Sequence, residues 1–392
     1  MKKIIIFTSS YPYGNGEQFF EEELNLFKKY DYEITIQPYY YGKIKKKRKV
    51  PPDITVLKPL ANFKVKKFKY YKIYIIYELL KYLFNDIIIK YAIIQKRNIR
   101  WELRQIAIAI LGAMNLDIEN YDVLYFYWGF DAAYYIPYIK KSMNKKIICR
   151  FHGSDLYEEI HNHKILLQRE IIYSADLVFT VSEYGKKYLE KKYNKIVICN
   201  RLGTTNNLGL GHPSEDNIFR IVSCSNIIDI KRIDMIVRVI SLLNNNFEWL
   251  HFGTGPLLSK IKKLITELGI TQRCKLPGFI TREEILKYYK NNPCDLFINL
   301  SETEGIPVSI MEAQSFGIPA LATNVGGTSE IVIPELLVDK NETEEKIANK
   351  ILEFRIRWEK DRTYMRYKAR EIWENSFNCE KNFKELLQYI EN

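Results

Sequence analysis

The sequence predicts an α/β protein built as two Rossmann-like domains, and three observations carry that expectation. The chain has 392 residues, too long for one ordinary core, so a division into two domains of ~200 residues is natural. Short apolar runs alternate with helical patterns in both halves, the signature of doubly wound parallel sheets. Between the two alternations lies Arg201-Leu-Gly-Thr-Thr-Asn-Asn-Leu-Gly-Leu-Gly211-His-Pro213, rich in glycine and turn formers, which reads as a linker.

Taken in order, Lys3–Thr8 reads as a strand and Glu17–Lys29 as a helix with Phe19, Phe20, Leu24 and Phe27 on its apolar side. Tyr32–Pro38 is a second strand. Val123–Tyr127, Ile147–Phe151, Leu177–Val181 and Ile196–Cys199 continue the pattern. The second half offers strands at Arg220–Ser225, Phe247–Gly253, Cys274–Leu276, Leu296–Leu300 and Ala320–Thr323. Helices are expected at Ile233–Leu243 and Arg282–Asn291. A final amphipathic segment, Thr363–Ile390, is long enough to cross back onto the first domain. The expected division is therefore 1–200, 201–370 and a returning helix over 371–392.

The net charge of +12 is uneven. Six of the seven residues from Lys43 to Lys49 are basic, and Ala61–Arg100 carries ten Lys or Arg against Glu78 and Asp86 alone. Tyr70–Ile94 is dense in Ile, Tyr, Leu and Phe, but its charges recur too often for a membrane span. The segment 42–100 reads either as a cationic, aromatic surface for an anionic membrane leaflet or as a buried helix pair with solvated lysines. No nucleic-acid motif accompanies the charge, so no nucleic-acid partner is expected. Six scattered cysteines without a C-x-x-C pair suggest buried free thiols in a reducing cytosol. The apolar stretch in Met1–Phe7 is too short for a secretory signal. The expected location is cytoplasmic, peripheral to the inner face of the plasma membrane.

The richest motif is Ser301-Glu-Thr-Glu304-Gly305-Ile306-Pro307-Val308-Ser309-Ile-Met-Glu312-Ala313. It follows an apolar strand, carries Pro307 suited to a first helical position, and is closed by Gly317 and Pro319. Glu304 then precedes the helix and Glu312 lies in its second turn. Between them the first amides, of Val308 and Ser309, stand at the positive end of the helix dipole. This is an anion site flanked by two carboxylates suited to hydroxyl groups, an order that matches a sugar–diphosphate–ribose ligand.

Other segments are weaker alone. His152, in Arg150-Phe-His152-Gly-Ser-Asp155, stands at a strand's carboxyl end, where Asp155 either orients its ring or caps the next helix. Gly14 and Gly16 form a short loop after the first strand, and Gly253-Thr254-Gly255-Pro256 a second one. Neither is a full dinucleotide fingerprint. Lys231 and Arg232 follow the first strand of the second domain; on this segment alone they read as a solvated helix-start pair, the alternative being a cationic pair that neutralises a diphosphate. No metal-ligand spacing links the five histidines.

Together these motifs resemble the retaining glycosyltransferases of family 4, which have the GT-B fold of two facing Rossmann-like domains with a cleft between them. The resemblance is strong from Arg220 to Val332 and looser over Phe151–Tyr193 and the first Gly loop. It rests on Lys231, Gly253-Thr-Gly-Pro256, Leu276-Pro-Gly278-Phe279, the Glu304–Glu312 spacing, Gly326-Gly-Thr-Ser-Glu330 and His152-Gly-Ser-Asp155.

The resemblance implies roles. Glu304 would bind donor-sugar hydroxyls and Glu312 the ribose hydroxyls. Lys231 and the amides of Gly305, Ile306, Pro307's neighbours Val308 and Ser309 would carry the diphosphate, and His152 would touch the donor sugar or its phosphate. Gly278 and Phe279 would lie at the nucleobase, with Gly14 and Gly16 above the diphosphate. Family members commonly carry Arg where this chain has Asn226; Arg232 or Arg201 would have to supply the second cation. The implied activity is metal-independent, retaining transfer from a nucleoside-diphosphate sugar, UDP-linked by preference, with no cofactor. The expected acceptor is a saccharide, preferably lipid-linked, in capsular, exopolysaccharide or lipopolysaccharide assembly. The rival readings are a noncatalytic membrane- or nucleic-acid-binding protein and an NAD-dependent oxidoreductase.

Overall fold

The computed structural model describes residues 1–14, 17, 19–41, 47–62, 75–80, 99–139, 144–160 and 165–391. Gly16 and most of the basic, aromatic segment 42–100 lie outside the described residues. The chain divides into two compact units, Met1–Asn200 together with the chain's end from Ile390, and Arg201–Tyr389.

The first unit runs β1 (Lys2–Thr8), α1 (Phe20–Phe27), β2 (Tyr32–Pro38), β3 (Thr55–Val56), α2 (Ile99–Asn115), β4 (Val123–Phe126), β5 (Lys146–Phe151), α3 (Gln168–Ser174), β6 (Leu177–Thr180), α4 (Glu183–Tyr193) and β7 (Ile198–Cys199). All strand pairs are parallel, in the order β3-β2-β1-β4-β5-β6-β7. Parallel strands covered on both faces must be apolar throughout, and Ile4, Ile5, Ile6, Phe7 and Val123–Phe126 are all buried. The order reverses between β1 and β4, so the ends of these two strands flank a topological switch point.

The second unit runs β8 (Phe219–Cys224), α5 (Ile233–Leu242), β9 (Phe247–Phe252), α6 (Leu258–Glu267), β10 (Cys274–Gly278), α7 (Arg282–Asn291), β11 (Leu296–Asn299), α8 (Val308–Ser315), β12 (Ala320–Thr323), β13 (Leu337–Val338), α9 (Glu344–Lys360), α10 (Arg362–Ile372) and α11 (Cys379–Glu391). Its parallel sheet has the order β10-β9-β8-β11-β12-β13, with the switch point between β8 and β11. Helix α5 buries Ile233, Ile236, Val237 and Ile240, a helical stripe that covers the sheet. Helix α9 starts on Thr343, whose hydroxyl accepts the Lys346 N–H, and buries Ile347, Ile351, Phe354 and Trp358.

Two expectations about local structure need correction. Helix α1 starts at Phe20 rather than Glu17, because Glu17 takes a left-handed φ of 57° and turns its carboxylate back onto the preceding loop. The terminal segment is not one continuous helix: α10 passes through a π turn, Trp373–Phe377, and breaks at Asn378 before α11. The break accommodates the chain around Thr204. Its hydroxyl accepts the buried Trp373 indole N–H at 2.8 Å, its N–H donates to Phe377 O, and its carbonyl accepts the Cys379 N–H. The boundary between the two units falls at the start of the glycine-rich stretch, where Leu202–Thr204 are buried and Asn382 Nδ2 donates to Leu202 O at 3.1 Å, whereas residues 207–210 are exposed. Of the six free thiols, Cys149, Cys294 and Cys379 are buried and the other three half-buried. Among the described residues no helix is long and apolar enough to cross a membrane.

Candidate active site

In the second unit the expected residues converge on the carboxyl ends of β8, β9, β10 and β11, on both sides of the switch point. Lys231 ends the turn after β8, and Glu304 lies in the loop after β11. Their side chains meet: Lys231 Nζ is 2.5 Å from Glu304 Oε1, and Asn299 Nδ2 donates to the same oxygen at 3.2 Å. Backbone bonds fix both loops, since the Glu302 N–H donates to Ile230 O at 2.9 Å and the Gly327 N–H to Gly305 O at 2.8 Å. Gly326 lies so close that a Cβ there would sit 1.8 Å from Glu304 O, with φ at +53°. Only glycine permits this approach, and it holds the Glu304 loop down.

Helix α8 begins one residue later than the sequence suggested. Pro307 is its N-cap, extended at ψ 112°, so Val308 and Ser309 are its first two residues. The first intrahelical bond comes from the Ile310 N–H to Pro307 O at 3.1 Å. The amides of Val308 and Ser309 therefore precede the helix's own hydrogen bonding, at the positive end of its dipole. Glu312 falls in the second turn, 6% exposed, and Arg282 Nε lies 2.5 Å from its Oε1.

The neighbouring loops are equally constrained. A Cβ on Gly253, at φ +151°, would meet Ser225 O at 1.9 Å, and the Gly253 N–H donates to Gly278 O at 2.9 Å. The Thr254 carbonyl accepts the Ile227 N–H at 2.9 Å. Thr254, Asn226 and Phe279 are exposed, Phe279 by 58%. Both arginines considered as substitutes for the missing cation engage other partners. Arg201 makes a two-nitrogen contact with Glu330 Oε2, at 2.7 and 3.2 Å. Arg232 Nη1 donates to Lys340 O.

In the first unit, His152 follows β5 directly and is 6% exposed. Its Nε2 is 2.8 Å from Tyr127 O, an acceptor only, so that nitrogen carries the proton and Nδ1 keeps its lone pair. Burial, helped by the Arg150 charge, pushes the ring down to about 3, so it is neutral at ordinary pH. Asp155 does not orient this ring. Its carboxylate instead accepts the N–H groups of His152, Gly153 and Gly129 at 2.7, 3.1 and 2.8 Å, fixing the backbone on either side. Burial raises Asp155 to about 6 against those bonds.

Sequence reasoning missed Glu17 and Trp128. The Glu17 carboxylate accepts from the N–H groups of Ser9, Ser10 and Tyr11 and from Trp128 Nε1 at 2.7 Å. The Trp128 ring in turn packs 4.2 Å from the His152 ring. Gly14, at φ 72°, belongs to this loop. Asn299 and Arg282 were likewise missed. Arg282 pairs with a carboxylate thirty residues away, which no local signal announces, whereas Asn299 pairs with Glu304 five residues on, within the same strand–loop segment. Among the described residues no group of His, Cys, Asp and Glu converges as a metal site.

Two parallel sheets with this loop arrangement define an α/β chain of the GT-B class, and comparison with known proteins agrees. Residues 210–372 match the family model described as Glycosyl transferases group 1. An uncharacterized glycosyltransferase of Methanocaldococcus jannaschii is 25% identical over 251 residues, 62% of this chain and 68% of that protein. The putative colanic acid biosynthesis glycosyltransferase WcaL of Escherichia coli is 25% identical over 264 residues, 63% of this chain and 64% of WcaL. The matched stretch thus spans about two thirds of these relatives. The crystal structure of Anabaena HepE in complex with UDP aligns over 100% of both chains with a TM-score of 0.69 at 14% identity, a likeness of fold.

Proposed function

We propose that the protein is a retaining, metal-independent glycosyltransferase of family 4 type that uses a nucleoside-diphosphate sugar, with UDP as the favoured nucleotide. The observation that carries this reading is the Lys231–Glu304 pair at the switch point of the second sheet, beside the open amides of α8. A cation, a helix N-terminus and a hydroxyl-binding carboxylate in one place match a sugar diphosphate. The group 1 match over this segment and the UDP named with HepE support it.

In this reading Lys231 and the amides of Val308 and Ser309 stabilise the departing diphosphate as its charge develops. Glu304 binds donor-sugar hydroxyls, Glu312 the ribose, and Gly278–Phe279 the base. His152, neutral and with Nδ1 as an acceptor, binds a donor-sugar hydroxyl. The glycosidic bond to phosphate breaks while the acceptor oxygen bonds the same face of the anomeric carbon. The acceptor's proton passes to the leaving phosphate. We assign the acceptor, a saccharide and preferably lipid-linked, to the first unit, and the segment 42–100 to an anionic membrane surface. Surface-polysaccharide assembly is the proposed setting, in keeping with the colanic acid role printed for WcaL.

A donor-hydrolysis screen over UDP- and GDP-sugars, with and without saccharide acceptors, tests the reading. Release of nucleoside diphosphate that is lost in Glu304→Ala supports it. Donor turnover indifferent to Glu304 contradicts it, and nicotinamide binding would favour a dehydrogenase instead.

A further inference from the structure

We infer that Arg282 is a positioning residue for nucleotide recognition: it orients Glu312 so that one carboxylate oxygen is presented to the ribose diol. The inference rests on the donor-site reading above and adds a residue to it. Arg282 Nε engages Glu312 Oε1 at 2.5 Å, with the arginine side chain 26% and the glutamate side chain 8% exposed. The contact with the guanidinium restrains the terminal torsion of the Glu312 carboxylate, which is otherwise soft.

The placement of the arginine is itself informative. Arg282 is the first residue of α7, where the helix dipole disfavours a cation and where Glu283 and Glu284 follow. Its backbone is pinned by a reciprocal capping box, with the Thr281 N–H donating to Glu284 Oε2 at 2.7 Å and the Glu284 N–H to Thr281 Oγ1 at 3.3 Å. Four residues upstream, Gly278 ends β10 with its carbonyl bonded to the Gly253 N–H, and Phe279 is exposed. One short, rigid segment therefore carries both the residues assigned to the base and the arginine that sets the carboxylate assigned to the ribose. A simple tie between α7 and α8 is the competing explanation, and partly exposed ion pairs contribute little to stability.

The test is calorimetric titration of the full-length protein with UDP, GDP and their 2′-deoxy forms. The wild type is expected to favour the ribonucleotide, and Glu312→Ala to remove that preference. R282Q is expected to weaken the ribonucleotide by about 10-fold, as loss of a hydrogen bond to a charged group implies. The 2′-deoxy form should stay within about twofold, so that discrimination collapses; R282K, with the charge but not the fork, should show a smaller change. Wild-type discrimination retained in R282Q, alongside a lowered melting temperature, overturns the inference and leaves a helix tie. If R282Q does not fold, R282K carries the same comparison. A wild type that binds no nucleoside diphosphate sinks the donor-site reading itself and the inference with it.

Discussion

Each candidate side chain owes its chemistry to a neighbour. Glu304 shares one oxygen between Lys231 and Asn299, so the loop is set before any sugar arrives. Lys231→Met is expected to lower turnover about 100-fold, with a smaller effect on donor KM, because the charge acts mainly on the leaving group; steady-state kinetics check this. His152 offers a second prediction. Its ring titrates near 3 when folded against 6.5 ordinarily. Between those values the unfolded chain holds more protons, so this group's contribution to stability falls as pH drops from 6.5 towards 3. Asp155 acts in the opposite sense, its contribution fading as pH rises through about 6. The His152 ring proton signal should therefore stay flat between pH 5 and 8 in an NMR titration. A midpoint near 6.5 would show the ring is not buried against Tyr127 O.

At the level of elements, the loops are held by glycine approaches and caps. Gly326→Ala forces a Cβ against Glu304 O and should cost about 1–3 kcal/mol, as strained backbone does. It should also weaken donor binding, through the displaced Glu304 loop; thermal melts and titration read the two effects separately. The Arg282–Asn291 helix was legible because Thr281 and Glu284 advertise its start. Strand Ala320–Thr323 was legible as a short apolar run between turn formers, and Tyr32–Pro38 as an alternation of apolar and polar residues. The start of α1 was not, since a left-handed Glu17 follows from a long-range demand, the amides of Ser9, Ser10 and Tyr11 and the Trp128 indole. The break at Asn378 is masked by amphipathic spacing that continues through it; Asn378 caps α11 locally, its Oδ1 accepting the Glu380 and Lys381 N–H groups, while Thr204, far away in sequence, takes the backbone bonds on either side. Of the candidate site, spacing located Glu304 and Glu312 on either side of a helix start. It gave no sign of Arg282, thirty residues from its partner.

For the whole molecule, the two sheets repeat one plan, with the order reversing beside β1 in the first and beside β8 in the second. Loops that carry chemistry gather at those reversals, as the fold dictates. The lysine cluster from Lys43 to Lys49 bears on a different property, attraction to a surface. Neutralising these lysines should reduce binding to vesicles containing anionic lipid at low salt and leave hydrolysis of a soluble donor within about twofold. Co-sedimentation checks the first and a coupled assay the second. The central claim, that the second unit binds a nucleoside diphosphate between Lys231 and the start of α8, is tested most directly by titrating UDP and GDP into wild type and Lys231→Met. The account predicts saturable binding of at least one of them, weakened about 10-fold or more by the substitution. No saturable binding by the wild type, or equal binding by both proteins, would contradict it.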